Sequence, residues 1–262
     1  MSETVKRWEG RTVDEKYQLR RYLGNSDHSA VFLTLTPHAA AGSEKAALKL
    51  IPADADADRQ LERWNGAGQL NHSNLLRILD SGRDGAALLY VVEELAEENL
   101  AQILPERALT AEEAHVTLPP VLLALQFVHE KGYVHGRIQP SNILAIGDHV
   151  KLSSDSLTAL GDSPRSPKTL SPYDPPEAGK GEISEAGDVW QFGMTLVEVL
   201  TQRLPVWDRT WRRAPQIPAE MPEPFREIAE RCLQIDPRKR WTSAQIMLRL
   251  GAEWPEEQRL RA

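Results

Sequence analysis

Lys49 is a lone ammonium inside the apolar run Ala46-Ala-Leu-Lys-Leu-Ile51. A cation in the middle of a buried strand needs a partner or gives up its proton, unless the strand lies at an edge and the side chain snorkels to water. A second chemical stretch is Tyr133-Val-His-Gly-Arg-Ile-Gln-Pro-Ser-Asn-Ile-Leu144. Its two apolar ends read as short buried strands and Pro140-Ser141-Asn142 as turn chemistry, so residues 135 to 142 form a loop held on a rigid scaffold. Within that loop Arg137 stays protonated in any protein setting and cannot accept a proton. It can bind a phosphate or an acidic partner, or form an ion pair inside the loop. A carboxylate, Asp155, stands among serines just after the apolar Val150 and Leu152.

The elements that must position these groups are mixed. Lys16 to Leu23 and Ala30 to Thr36 form a hairpin about a polar turn, and the Lys49 strand follows between Gly42-Ser43 and Pro52. Leu88 to Val92 is a further buried strand. The later part is helical: Thr110-Ala-Glu-Glu113 is a capping box, and Leu118, Leu122, Leu125 and Val128 recur at helical spacing, with Pro119-Pro120 expected to kink that helix. Gly132 ends it. The three Ser-Pro pairs at Ser163, Ser166 and Ser171 read as loop breakers or as phosphorylation targets.

The 135–142 loop resembles the catalytic loop of protein kinases, H-R-D-L-K-P-x-N. His135, Pro140 and Asn142 match, while Gly136 replaces the Arg, Arg137 the catalytic Asp and Gln139 the Lys. The rest of the chain follows the same family in order. Gly24 and Val31 match the glycine-rich loop, with Ser26 and Ser29 replacing its second and third glycines. Ala47 and Lys49 match V-A-I-K. Glu94 matches the hinge glutamate, and Glu93 stands in the gatekeeper place, normally apolar. Tyr173-Asp-Pro-Pro-Glu177, Asp188-Val-Trp-Gln-Phe-Gly193 and Cys232 to Ala244 resemble A-P-E, D-x-W-S-x-G and C-L-x-x-D-P-x-x-R-P-S-A, with Arg240 expected to pair with Glu177.

The resemblance implies an α+β, bilobal kinase fold as one domain over 1–262: a β-sheet lobe with one helix over 1–95, a larger helical lobe over 96–255 and a tail over 256–262. It implies nucleotide-site positions at Gly24, Val31, Ala47, Lys49, Glu93, Glu94, Asn142, Leu144 and Asp155. The helix αC glutamate position falls on Arg63, with Glu62 its neighbour, so the usual Lys–Glu pair requires a register shift. As a replacement partner for Lys49 the sequence offers Glu93, the competing reading being a solvated hinge acid. Aligning the apolar frame of Val150 and Leu152 puts Ser154 on the metal-binding Asp of D-F-G; counting from Asn142 puts Asp155 there instead. No metal site is expected, with Asn142 and Asp155 as the remaining candidates.

Composition narrows the class. The 262 residues are 41% hydrophobic and 26% charged, with net charge −7, which argues against a nucleic-acid partner. A local basic patch stands at Arg209-Thr-Trp-Arg-Arg213. One cysteine, Cys232, permits no internal disulfide, and the chain has neither an apolar leader nor a run of 18 apolar residues. A reducing cytoplasm is the expected setting. By resemblance, the expected function is that of a pseudokinase of bacterial Ser/Thr type: a signalling domain that binds another protein, such as a kinase or signalling component, requires no cofactor and binds nucleotide weakly or not at all. Two alternatives stay open, a divergent active Ser/Thr kinase using ATP and Mg²⁺ and an ATP-binding switch without turnover.

Overall fold

The computed structural model describes residues 6–26, 29–36, 44–162, 170–179, 183–208, 210 and 213–251. Ser163, Ser166, Gly42, Ser43, most of the Arg209–Arg213 patch and the tail lie outside them. The chain divides into two compact units, residues 1–97 with 153–157, and residues 98–152 with 158–262.

The first unit is built on a five-stranded antiparallel sheet. Its strands are β3 (Arg21–Ser26), β4 (Ser29–Leu35), β5 (Lys45–Pro52), β6 (Ile78–Asp84) and β7 (Leu88–Glu94), in the order β3-β4-β5-β7-β6. Two short strands precede it, β1 (Thr12–Val13) and β2 (Tyr17–Gln18), paired with each other. The hairpin expected over 16–36 is therefore shorter, since its first residues turn back onto Thr12–Val13 instead of continuing into β3. The edge strand β6 escapes a sequence reading because Leu79-Asp-Ser-Gly-Arg83 carries no clean alternation, and every residue of it is half-buried.

Alternation along β5 and β7 divides the sheet into two apolar faces. Leu48, Leu50, Tyr90 and Val92 join Phe32, Tyr17 and Val13 on one side. On the other, Leu89 and Val91 pack with Trp64 of helix α1 (Ala57–Ala67). β5 is paired on both sides, by β4 and β7, so Lys49 is not an edge-strand lysine.

The second unit is mainly helical. It contains β8 (Glu98–Asn99), α2 (Leu100–Ile103), α3 (Ala111–Glu130), β9 (Tyr133–Val134), β10 (Ile143–Ile146), β11 (His149–Leu152), β12 (Thr158–Ala159), α4 (Glu185–Thr201), α5 (Phe225–Cys232) and α6 (Ser243–Leu250). The capping box forms: Glu113 N donates to Thr110 Oγ1 (3.2 Å), and Thr110 N to a Glu113 carboxylate oxygen (2.8 Å). α3 runs as one helix through Pro119 and Pro120, with Leu118, Leu122, Leu125 and Val128 buried. α4 is buried from Asp188 to Val197 and again at Val199. A Cβ on its Gly193 would lie 2.6 Å from Cys232 Cβ, so only glycine permits this approach of α5. Among the described residues no helix is long and apolar enough to cross a membrane.

Candidate functional site

In the first unit the central group is Lys49. Its Nζ lies 2.6 Å from Asp155 Oδ2, with the two side chains 21% and 11% exposed. This corrects the pairing of Lys49 with Glu93. The physical reason lies in the segment 153–157: β11 ends at Leu152, strand alternation ends with it, and the following turn sets side chains in directions that the strand frame does not forecast. Ser154 is buried and its hydroxyl donates to Leu76 O (2.6 Å). Asp155 O accepts from Trp64 Nε1 (2.9 Å). Asp155 therefore faces the lysine, while Ser154 faces the loop after α1.

Glu93 is not a solvated hinge acid either, being only 8% exposed. It stands opposite Ala47 in the β5–β7 ladder, and Lys49 stands opposite Val91. Glu93 is thus the diagonal neighbour of Lys49 on one sheet face. Burial first, then the negative charge of Asp155, push its carboxyl up to about 8, and the Lys49 charge acts against them. Val31 is opposite both Gly24 and Lys49 in its ladders, and β3 carries an irregularity between Tyr22 and Gly24. Glu94 Oε1 lies 3.6 Å from Arg77 Nε. On α1 Arg63 is buried and Glu62 exposed, so the register shift that would bring Glu62 inward does not occur.

In the second unit the 135–142 loop is fastened to α4. Asp188 accepts from the backbone N–H groups of His135 (2.8 Å) and Gly136 (2.6 Å), and its Oδ2 lies 2.8 Å from His129 Nε2. Gly136 has φ +68°, a conformation that glycine adopts at no steric cost. Gln191 accepts from Ile138 N (2.9 Å) and donates to Gly136 O (2.9 Å), and Thr195 Oγ1 donates to Ile138 O (3.0 Å). These two anchors went unread, although a signal for them exists: Asp188, Gln191 and Thr195, spaced three and four apart, form a polar stripe on an otherwise apolar helix. Trp64 went unread too, because nothing local marks its indole as a partner for residue 155.

Arg137 is exposed, and among the described residues its guanidinium makes no ion pair, in contrast to the internal pairing the sequence offers. Asn142 Nδ2 donates to Arg137 O (2.7 Å). Leu144 pairs with Asn99 of β8 and Lys151 of β11. Further along, Arg240 makes a two-pronged contact with Glu177 (2.6 and 2.8 Å). Ser171 accepts from Tyr173 N and its own N–H donates to Asp174, which is turn chemistry.

The protein kinase domain family profile matches residues 17–249. The chain belongs to this family. Relatives of the kinase domain include CBL-interacting protein kinase 4 of Oryza sativa subsp. japonica, 29% identical over 86% of this chain and 55% of that protein. The serine/threonine-protein kinase PkaA of Streptomyces coelicolor is 28% identical over 93% of this chain and 51% of its own length. The chain thus spans about half the length of these kinases. The crystal structure of the Mycobacterium tuberculosis PknI kinase domain superposes with TM-score 0.75, at 20% identity, over 93% of this chain and 98% of that one. The bilobal kinase fold expected from the motifs is the fold observed.

Of the two candidate metal donors, Asp155 in the first unit is bonded to Lys49, and Asn142 in the second unit has its amide nitrogen bonded to Arg137 O. Among the described residues no three acidic, His or Cys side chains assemble into a metal site. Magnesium–nucleotide sites need only one or two protein carboxylates, the phosphates and water supplying the other ligands, and Asp155 is a carboxylate of that kind.

Proposed function

We propose that this kinase domain is a pseudokinase that acts by binding a protein partner in signalling, with little or no phosphoryl transfer and weak or absent nucleotide affinity. The observation that carries this reading is Arg137. The family's loop places a proton-accepting carboxylate there, and a guanidinium cannot take the substrate hydroxyl's proton; losing a general base typically removes a factor of roughly 10²–10⁴. The lysine that would meet a nucleotide phosphate is neutralised by Asp155, which supports weak nucleotide binding. The scaffold around the loop, Asp188, Gln191, Thr195 and the Arg240–Glu177 pair, is complete, as a domain retained for its surface requires.

A divergent active Ser/Thr kinase is the second reading, favoured by the carboxylate of Asp155 standing on Lys49 and by relatives that are Ser/Thr kinases. Phosphoryl transfer rests mainly on positioning and electrostatics, so a missing base weakens it without forbidding it. Incubation of the purified protein with labelled ATP and Mg²⁺ or Mn²⁺ separates the two. The pseudokinase reading expects no autophosphorylation above a Lys49→Ala control, and lysine-dependent transfer refutes it. A thermal-shift titration with ATP reports nucleotide binding separately, because a ligand of the folded state raises its stability.

A further inference from the structure

Glu93 carries a buried carboxylate oxygen, Oε1, with no hydrogen-bond partner. Such an atom is costly in its ionised form and tolerable in its protonated one. Its surroundings decide which form exists. Strand β6 puts Ile78 beside it and strand β5 puts Ala47 opposite. β5 also brings Lys49, and the 153–157 segment brings Asp155, the two groups whose charges act on Glu93. Helix α1 presents buried Trp64 and Arg63 to the interior of this unit. One ammonium is therefore placed between a carboxylate that holds it at 2.6 Å and a second carboxyl diagonal to it on the same sheet face.

We propose that Glu93 is a proton-operated switch on the Lys49–Asp155 pair: the protonated acid leaves the ammonium to Asp155, and the ionised carboxylate competes for it and loosens the 153–157 segment. The proton exchanges with solvent, and no other group changes its charge. With Glu93 protonated the three groups sum to zero; with Glu93 ionised they sum to −1, and a buried excess charge pulls on the nearest cation. The midpoint of about 8 to which its surroundings push Glu93 places the change within reach of ordinary pH variation. The bonds of this segment that the change bears on are Lys49 to Asp155 and Trp64 Nε1–H to Asp155 O, beside Ser154 Oγ–H to Leu76 O. This device is independent of whether the domain transfers phosphate.

Trp64 supplies the readout, since its indole N–H bonds directly to Asp155 O. We expect the Trp64 indole ¹⁵N–¹H resonance of the full chain to shift between roughly pH 6 and pH 10, with a midpoint near that of the acid, and to stay flat in Glu93→Gln. The Glu93 carboxyl ¹³C signal of the wild type, assigned through its own side-chain and backbone resonances, should titrate with the same midpoint. Asp155→Asn, which removes a neighbouring negative charge, should lower that ¹³C midpoint, and Lys49→Met should raise it. A Trp64 shift that persists in Glu93→Gln overturns the proposal. So does a wild-type Glu93 carboxyl that titrates in the ordinary carboxylate range, a reading that needs no variant to fold.

Discussion

Lys49 and Asp155, separated by 106 positions in the chain, form an ion pair at 2.6 Å between side chains that are 21% and 11% exposed. Removing one partner leaves a mostly desolvated charge behind. Asp155→Leu should therefore destabilise the domain by about 1–3 kcal/mol, less than a fully buried pair would because some solvent reaches both groups. Lys49→Met with Asp155→Leu should recover most of that loss. Urea unfolding of the two single variants and the double variant checks the coupling, and additive losses would show that the pair does not act as one.

Glu93 makes stability depend on pH with a definite sign. Its carboxyl is raised to about 8 in the folded protein by burial and by Asp155, so the folded state keeps a proton that the unfolded chain releases above the usual carboxylate range. The stabilisation is fully present below that range and is lost as pH rises toward about 8. Relative to Glu93→Gln, which stays neutral, the wild type should lose stability across this window by an amount on the order of a few kcal/mol and change little above it. Denaturant midpoints of both proteins at a series of pH values supply the test.

Asp188 is the fastener of the 135–142 loop. Asp188→Asn keeps one acceptor oxygen but turns an amide N–H₂ toward a backbone donor, either His135 N or Gly136 N. A buried donor facing a donor should cost about 1–3 kcal/mol. The loss should be local first, with faster amide hydrogen exchange at His135, Gly136 and Ile138 than elsewhere in the second unit.

Much of this architecture is legible in residue order. The Lys49 strand, the capping box at Thr110 and the buried stripe of α3 follow from an apolar run, local capping and helical spacing, and the Arg240–Glu177 pair from the resemblance to kinase motifs. The short strands at Thr12–Val13 and the edge strand β6 do not, because pairing partners rather than apolar periodicity define them. Pro119 and Pro120 lie inside α3, which continues through them as one helix with a buried face.

By itself the sequence determined that a cation stands in an apolar strand, that an arginine stands in the 135–142 loop, and that an acid occupies position 93. Those facts are chemical identities and need no coordinates. Which acid meets Lys49 was decided only by the tertiary structure. Asp155 lies beyond the end of β11, where no backbone repeat dictates direction, and the Trp64 indole and the Leu76 carbonyl set how the turn sits. Glu93 was decided in the same way: its identity is local, but its burial, and with it the weakened acidity of its carboxyl, comes from strands β5 and β6 closing on both sides of it.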